Sequence, residues 1–321
     1  MKIRAVRVLL PGTRPSGYTG AQKVAIKFAE LLNKIVPTEI WTYKTREEGT
    51  NFLDLKNIPE DEDIIWIVAW GLNANHLLNI LKKRKAIYFA QAAKWRIIVP
   101  ISIPILCGSH FIMAYWAQKA PHNPIYLYKH IIDKNCRNAN LDRDIDVLYI
   151  RRKSTAYLKD VLITELQKHC NVYISKKFVP KSEVFKLYNR SKVYLYSSEL
   201  IFPLVEGFGL QPLEAMVCGC TVFSNLKGGL SDYLDPGICG NKLETYSKEY
   251  DIKRILEAVN SHTGHNPNEK NLLNSYSEEG FYKRMAVIWP EIVKYLEFKD
   301  KSPPSSWSKD SISSILSRFR F

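Results

Sequence analysis

Apolar positions along this chain switch repeatedly between short unbroken runs and a helical spacing. Val6 to Leu10 is β-branched and apolar, the pattern of a buried strand. It opens into Pro11-Gly12-Thr13-Arg14-Pro15-Ser16-Gly17-Tyr18-Thr19-Gly20, a loop rich in Gly and Pro. Beyond it Ala21, Val24, Ala25, Phe28, Leu31 and Leu32 fall on one helical face. Strand, glycine loop and helix form the opening unit of a doubly wound α/β domain. Further strands are predicted at Ile64 to Ala69, Ala86 to Ala90 and Pro104 to Cys107, with a helix at Asn75 to Leu81. The chain turns polar at Asn135-Cys136-Arg137-Asn138-Ala139-Asn140, which places a domain boundary there. A second alternating series follows. Its strands are predicted at Asp146 to Ile150, Asn171 to Ile174, Val193 to Tyr196 and Thr221 to Ser224. Its helices are predicted at Val161 to His169, Lys181 to Asn189 and Pro212 to Val217. From Asp251 to about Phe298 the pattern is helical, broken near Gly264. Strands alternating with helices imply two mostly parallel sheets, each covered on both faces.

Length agrees with two units: 321 residues exceed what one hydrophobic core usually serves. The expected division is 1–138, 139–300 and a tail at 301–321. Hydrophobic residues make up 46% and charged residues 24%, which excludes general disorder. Charge adds a clue to partners. Lys plus Arg is 46 against 32 for Asp plus Glu, a net +14 that attracts nucleic acid, anionic lipid or phosphorylated small molecules. A basic surface with no polyanionic partner fits the same numbers. The six cysteines lack framework spacing and any CxxC pair, and read as reduced thiols of a cytoplasmic protein. Met1-Lys2-Ile3-Arg4 runs straight into a strand, unlike a secretory signal. Arg96 to Met113 is the most apolar stretch, but Pro100, Pro104, Gly108 and His110 make it a buried strand and turn, not a membrane span. After the linker Ser302-Pro303-Pro304-Ser305-Ser306, the tail places Ile312, Ile315, Leu316 and Phe319 on one face, with Lys309, Arg318 and Arg320 nearby. That segment suits peripheral contact with an anionic membrane surface, or packing on its own protein.

The chemistry concentrates in Val205-Glu206-Gly207-Phe208-Gly209-Leu210-Gln211-Pro212-Leu213-Glu214-Ala215-Met216. Two glycines bracket an aromatic, and Pro212 stands where a helix is expected to begin, a position that tolerates its missing N–H. Free amides of such a helix start form an anion site, reinforced by the helix dipole. Gly207 and Gly209 let a ligand approach the backbone. Glu214, expected in the first helical turn, suits a diol such as ribose. Glu206 at the loop entrance suits sugar hydroxyls or a cationic transition state.

Glu206 and Glu214, with seven residues between them, resemble the E-x7-E signature of the retaining GT-B glycosyltransferases called family 4 or group 1. The likeness continues through Gly219-Cys220-Thr221-Val222 and Gly228-Gly229, and upstream through Val179 to Tyr188 and Ser191 to Ser198. It implies two Rossmann-like doubly wound domains facing a cleft. The first is the acceptor side, and the second binds the nucleotide sugar. It implies that Glu214 binds donor ribose and that Glu206 lies by the transferred sugar. Backbone amides of Phe208, Gly209 and Leu210 would meet the sugar and diphosphate. A basic pair, Arg152 and Lys153, would hold the diphosphate, although the spacing there is compressed and the usual glycine is missing. Gly17, Thr19 and Gly20 resemble the family's acceptor and phosphate loop, although a tight βα turn fits them equally. His76, His110, His122 and His130 are candidates for a site histidine that match no motif.

The expected activity is transfer of a sugar, with retention, from a nucleotide-diphosphate donor to a glycan or lipid-linked acceptor, in cell-surface polysaccharide or glycolipid synthesis. No cofactor and no metal are expected. Asp142-Arg143-Asp144-Ile145-Asp146 superficially offers a metal-holding DxD, but reads as a solvated turn. The alternatives are a nucleotide-sugar epimerase on the same fold, a non-catalytic relative, or a basic nucleic-acid-binding protein. The last is not expected, because aromatics do not interleave with Lys and Arg in a stacking platform.

Overall fold

The computed structural model describes residues 3–13, 20–93, 96–151, 154–175, 179–199 and 206–302. It contains two parallel sheets, each wrapped by helices.

The first sheet is built from β1 (Ala5–Leu10), β2 (Thr38–Thr42), β3 (Asn51–Phe52), β4 (Ile64–Ala69), β5 (Ala86–Ala90), β6 (Ile105–Cys107) and β7 (Ile125–Leu127). Its order is β3-β2-β1-β4-β5-β6-β7, so the chain reverses direction across the sheet between β1 and β4. β4 reads Ile-Ile-Trp-Ile-Val-Ala and β5 Ala-Ile-Tyr-Phe-Ala, and every residue of both is buried. Such unbroken apolar runs are what a strand covered on both faces requires. The register pairs Leu9 with Val68 and Val68 with Tyr88.

Helices α1 (Gly20–Leu32), α2 (Ala74–Leu81) and α3 (His110–Lys119) cover this sheet. α3 was not expected from the sequence. Its residues are apolar on nearly every side, so no amphipathic stripe marks it, and only Ile112 and Trp116 are buried. Its start is nevertheless well specified: the Ser109 hydroxyl accepts from the Ile112 amide at 3.2 Å.

The second sheet contains β8 (Ile145–Ile150), β9 (Val172–Ser175), β10 (Ser191–Tyr196), β11 (Thr221–Ser224) and β12 (Asn241–Lys242), in the order β12-β11-β10-β8-β9. One face carries α5 (Lys181–Asn189), α6 (Leu210–Val217) and α8 (Glu269–Tyr276). The other carries a π-wound turn at Tyr157–Leu162 running into α4 (Ile163–Leu166), and α7 (Lys248–Asn260). The first helix of this half therefore begins about one turn earlier than its apolar spacing suggested.

The last described helix, α9 (Glu278–Lys301), falls in the 139–300 segment but for its final residue, yet packs on the first sheet. Phe281, Met285, Ile292 and Leu296 enter the core formed by Val6, Val8, Phe28 and Phe89. Phe281 meets Phe28 edge-on at 5.8 Å between ring centroids, and Glu278 pairs with Lys27 at 2.8 Å. Among the described residues no helix is long and apolar enough to cross a membrane.

Candidate functional site

In a doubly wound sheet, ligands bind beyond the carboxyl ends of the strands, where the strand order reverses. In the second sheet that point lies between β8 and β10. The strands there end at Ile150, Tyr196 and Ser224. A buried polar network ties these ends together. The Thr155 amide donates to the Ser197 hydroxyl at 3.1 Å, and the Thr155 hydroxyl donates to the Glu244 carboxylate. Asn225 donates to Glu244 at 3.2 Å and to the Ser198 carbonyl at 3.0 Å. The network holds the residues that flank positions 152–153. Arg152 and Lys153 themselves lie outside the described residues.

The glutamate loop sits at the same edge. Glu206 is half-buried, and the Tyr196 hydroxyl donates to its carboxylate at 3.2 Å. The Glu206 carbonyl accepts from the Gly229 amide at 2.9 Å. A side chain on Gly229 would strike the Gly207 carbonyl. This explains the Gly228-Gly229 pair of the sequence: it lets one backbone turn lie directly on another. Phe208 points inward, its ring 4.5 Å from that of His130 and 5.3 Å from that of Tyr233. Gly209 adopts φ +78°, which turns the chain into α6.

Helix α6 differs from expectation at its start. It begins at Leu210, so Pro212 is its third residue, still within the turn whose amides lack helical acceptors. Glu214 is then the fifth residue of the helix, two positions further in than expected. No side chain caps the helix. The Tyr233 hydroxyl donates to the Gly209 carbonyl, so part of the helix mouth is already occupied by protein. Leu210 is half-buried at the entrance.

Glu214 is 4% exposed. The Lys181 ammonium lies 3.0 Å from its carboxylate, a charge contact and not an aligned hydrogen bond. Lys181 also reaches Asp133 at 3.5 Å. Burial raises the Glu214 carboxyl above the ordinary range, and Lys181 opposes that shift. Sequence reasoning missed Lys181, Tyr196, Tyr233 and Glu244. Lys181 and Tyr196 lay in recognised stretches without being singled out; Tyr233 and Glu244 reach the site by folding alone.

Residues of the first half close against this loop. The Ser109 hydroxyl donates to the Gly207 carbonyl at 2.8 Å. A side chain on Gly207 would meet the Gln91 carbonyl at 2.7 Å. Asp232 caps α3 from the opposite half, accepting from the His110 amide at 2.6 Å and lying 3.2 Å from the His110 ring. Of the four histidines singled out, His110 is therefore at the seam. His130 is buried beside Phe208, whereas His76 and His122 are exposed.

Beside the seam, a cavity of about 300 Å³ opens at the carboxyl ends of β1 and β4, lined by Leu10, Tyr43, Ala69, Trp70, Leu72 and Gln91 among others. Gly20, the first residue of α1, is exposed, and Gly17 and Thr19 lie outside the described residues. A larger cavity of about 930 Å³ lies at the opposite edge of this sheet, near Glu62, Lys85 and Lys299. Its two buried lysines are engaged, Lys85 with the Glu62 carbonyl and Lys299 with the Arg84 carbonyl. The strand-end argument therefore favours the smaller cavity. The Asp142–Asp146 run also lies at an amino edge, with Asp144 held by Arg190 and Asp146 by Lys192. No group of acids, histidines and cysteines with metal-holding geometry occurs among the described residues.

Comparison with known proteins places these observations in context. Residues 155–277 match the family model described as glycosyl transferases group 1. No curated protein sequence matches the chain. Among solved structures, a glycosyltransferase from Rickettsia africae superposes with TM-score 0.67 at 13% identity, over 90% of this chain and 98% of that one. Sucrose-phosphate synthase from Thermosynechococcus elongatus gives 0.64 at 13% identity, over 91% and 99%. Anabaena HepE in complex with UDP and glucose gives 0.62 at 12% identity, over 90% and 100%. At such identities the likeness establishes a shared two-sheet α/β fold.

Proposed function

We propose that the protein is a glycosyltransferase that moves a sugar, with retention, from a nucleoside-diphosphate donor to an acceptor hydroxyl. One observation carries the reading. The segment matching the group 1 model brings the Glu206–Gly209 loop, the start of α6 and Glu214 together at the carboxyl edge of the second sheet. A structure of similar fold, Anabaena HepE, holds UDP and glucose, which supports a nucleotide sugar as the ligand.

In this reading Glu214 accepts from the ribose diol, and Glu206, steadied by Tyr196, faces the transferred sugar. The departing diphosphate gains negative charge. Amides of Phe208, Gly209 and Leu210, with Arg152 and Lys153, offset that charge in a site where water is scarce. The acceptor hydroxyl attacks the same face that the diphosphate leaves, which preserves the anomeric configuration, and the leaving diphosphate takes its proton. No metal or cofactor enters this scheme. The cavity beside Trp70 is the acceptor side, suited to a glycan or lipid-linked acceptor. The net charge of +14 and the basic amphipathic tail suit a cytoplasmic enzyme working at an anionic membrane surface.

Thermal-shift screening with UDP-, GDP- and ADP-sugars identifies the donor, because a bound ligand raises apparent stability. With that donor, Glu214→Ala is expected to raise Kd by roughly tenfold or more, the penalty for losing hydrogen bonds to a charged group. Glu206→Ala is expected to lower kcat by roughly a hundredfold with little change in donor Kd. Calorimetry and single-turnover kinetics separate the two. Wild-type affinity and turnover in both variants would end the proposal.

A further inference from the structure

The ammonium of Lys181, the first residue of α5, lies 3.0 Å from Glu214 and 3.5 Å from Asp133. The two carboxylates come from different places: Glu214 from α6, and Asp133 from the segment that crosses between the sheets. Lys181 bridges them while its own side chain stays half exposed, at 52%. Its aliphatic stem and ammonium also lie over the Phe185 ring, at 5.4 Å from the centroid. Glu214, by contrast, is shut in by the core around Leu213, Met216 and Tyr188.

We infer that Lys181 is a positioning residue for the nucleoside diphosphate: it keeps the buried Glu214 carboxylate charged and aimed, so that both oxygens can accept from the ribose diol. The inference rests on the reading of Glu214 as the ribose ligand.

The argument is one of charge state. A carboxylate accepts through both oxygens; a protonated carboxyl gives one of them up as a donor. Burial drives Glu214 toward the protonated form, and Asp133 pushes the same way by like charge. Among the described residues, Lys181 is the cation facing Glu214 that opposes them. The remaining titratable groups facing Glu214 among the described residues are Cys136, whose thiol donates to the Glu214 carbonyl at 3.3 Å, and Tyr188 of α5. Both are held neutral by burial or by neighbouring groups and supply no positive charge. The pairing strengthens Lys181 in turn: burial alone would lower its pKa, but the two carboxylates raise it above the ordinary lysine value. Lys181 therefore stays charged wherever Glu214 does.

The sign follows directly. Donor affinity falls on the acid side as Glu214 takes up a proton. Removing Lys181 moves that fall to higher pH, and removing Asp133 moves it to lower pH.

The test titrates UDP, GDP and ADP by calorimetry into the full-length protein and into Lys181→Met, Lys181→Arg, Asp133→Asn and Glu214→Gln, from about pH 5.5 to pH 9. Thermal unfolding checks that each variant folds. Lys181→Met is expected to bind the preferred nucleotide roughly tenfold more weakly near pH 6.5 and to recover as the pH approaches 9, one pH unit corresponding to a factor of ten. Lys181→Arg is expected to restore the wild-type profile. Asp133→Asn, a substitution at a partly exposed site, is expected to carry binding about half a pH unit or more further into acid. Glu214→Gln is expected to bind weakly at every pH. A Lys181→Met profile parallel to wild type, or no acid extension in Asp133→Asn, overturns the role of Lys181 while leaving the ribose contact intact. Wild-type affinity in Glu214→Gln, or no binding of any of the three nucleotides by the unaltered protein, overturns the underlying reading instead.

Discussion

At the scale of single residues, the clearest conflict between side chain and surroundings is His130. Its ring is buried against Phe208, and Tyr128 lies 3.3 Å from its Nδ1. Burial lowers its pKa to about 3, so it is neutral in the folded protein. An unfolded chain would protonate it near pH ~6.5. A depressed value means that the folded state holds its advantage above that ordinary value. The advantage is lost as pH falls from there toward the folded value, by about 1.4 kcal/mol per pH unit at most. His130→Leu is therefore expected to narrow the difference in melting temperature between about pH 7.5 and pH 5. A small acid sensitivity should persist, because burial also depresses His262. An unchanged difference in His130→Leu would show that the acid response originates elsewhere. The contrast with Glu214 is instructive. Both groups are buried and neither has the solvent it prefers, but Glu214 has Lys181 within 3.0 Å, whereas His130 lies against the Phe208 ring and the Tyr128 phenol. Neither condition was visible in the sequence, since it depends on neighbours about 33 or 78 positions away in the chain.

Among elements, α9 is the most consequential. Its sequence reads as one of several trailing helices, and its position in the chain suggests that it covers the second sheet. It instead supplies Phe281, Met285 and Leu296, all 2% exposed or less, to the first. The first sheet is thus completed by the far end of the chain, and its stability depends on it. Phe281→Ala is expected to destabilise the first half by about 3–5 kcal/mol, the range for removing a buried aromatic. Chemical denaturation followed by Trp66 and Trp116 fluorescence, both in that half, measures it. A change below about 1 kcal/mol would mean that α9 merely rests on the sheet. Periodicity located most strands and helices correctly because two-face burial writes itself into composition: β4 and β5 were legible to the residue. It failed at α3, apolar all round, and at β2, whose Thr-Glu-Ile-Trp-Thr sits beside a two-residue edge strand and is only partly buried. It misplaced the start of α6 because proline marks a helix's first turn and not always its first residue.

At the scale of the whole molecule, the two halves meet through the apolar face of α9 on the first sheet and through directed polar contacts around the glutamate loop. Asp232 caps α3 across the seam, and Ser109 holds the Gly207 carbonyl. The contacts join the glutamate loop to the first sheet, so closure of the halves and order in the loop are linked. Asp232→Ala is expected to remove about 1 kcal/mol of cap stabilisation, within the usual range for such a loss. It is also expected to lower turnover more than it weakens nucleotide binding, since Glu206 and Glu214, the proposed donor contacts, both belong to the second half. Small-angle scattering should show a larger radius of gyration. Equal turnover and an unchanged radius would detach the seam from function.

The alternation of strands and helices in most of the chain, the two-sheet class and the glutamate loop with its glycines were determined by the sequence alone. Each rests on local spacing, on which residues repeat every second or every third and fourth position, or on backbone freedom at a few glycines. Tertiary structure decided the rest: that α9 returns to the first sheet, that Asp232 caps a helix about 120 residues away, and that Lys181 faces Glu214. Those pairings arise from how far-separated segments are stacked, and the reason is physical. A charge or a cap is satisfied by whatever lies within a few ångströms, and sequence distance carries no information about that neighbour until the chain has folded.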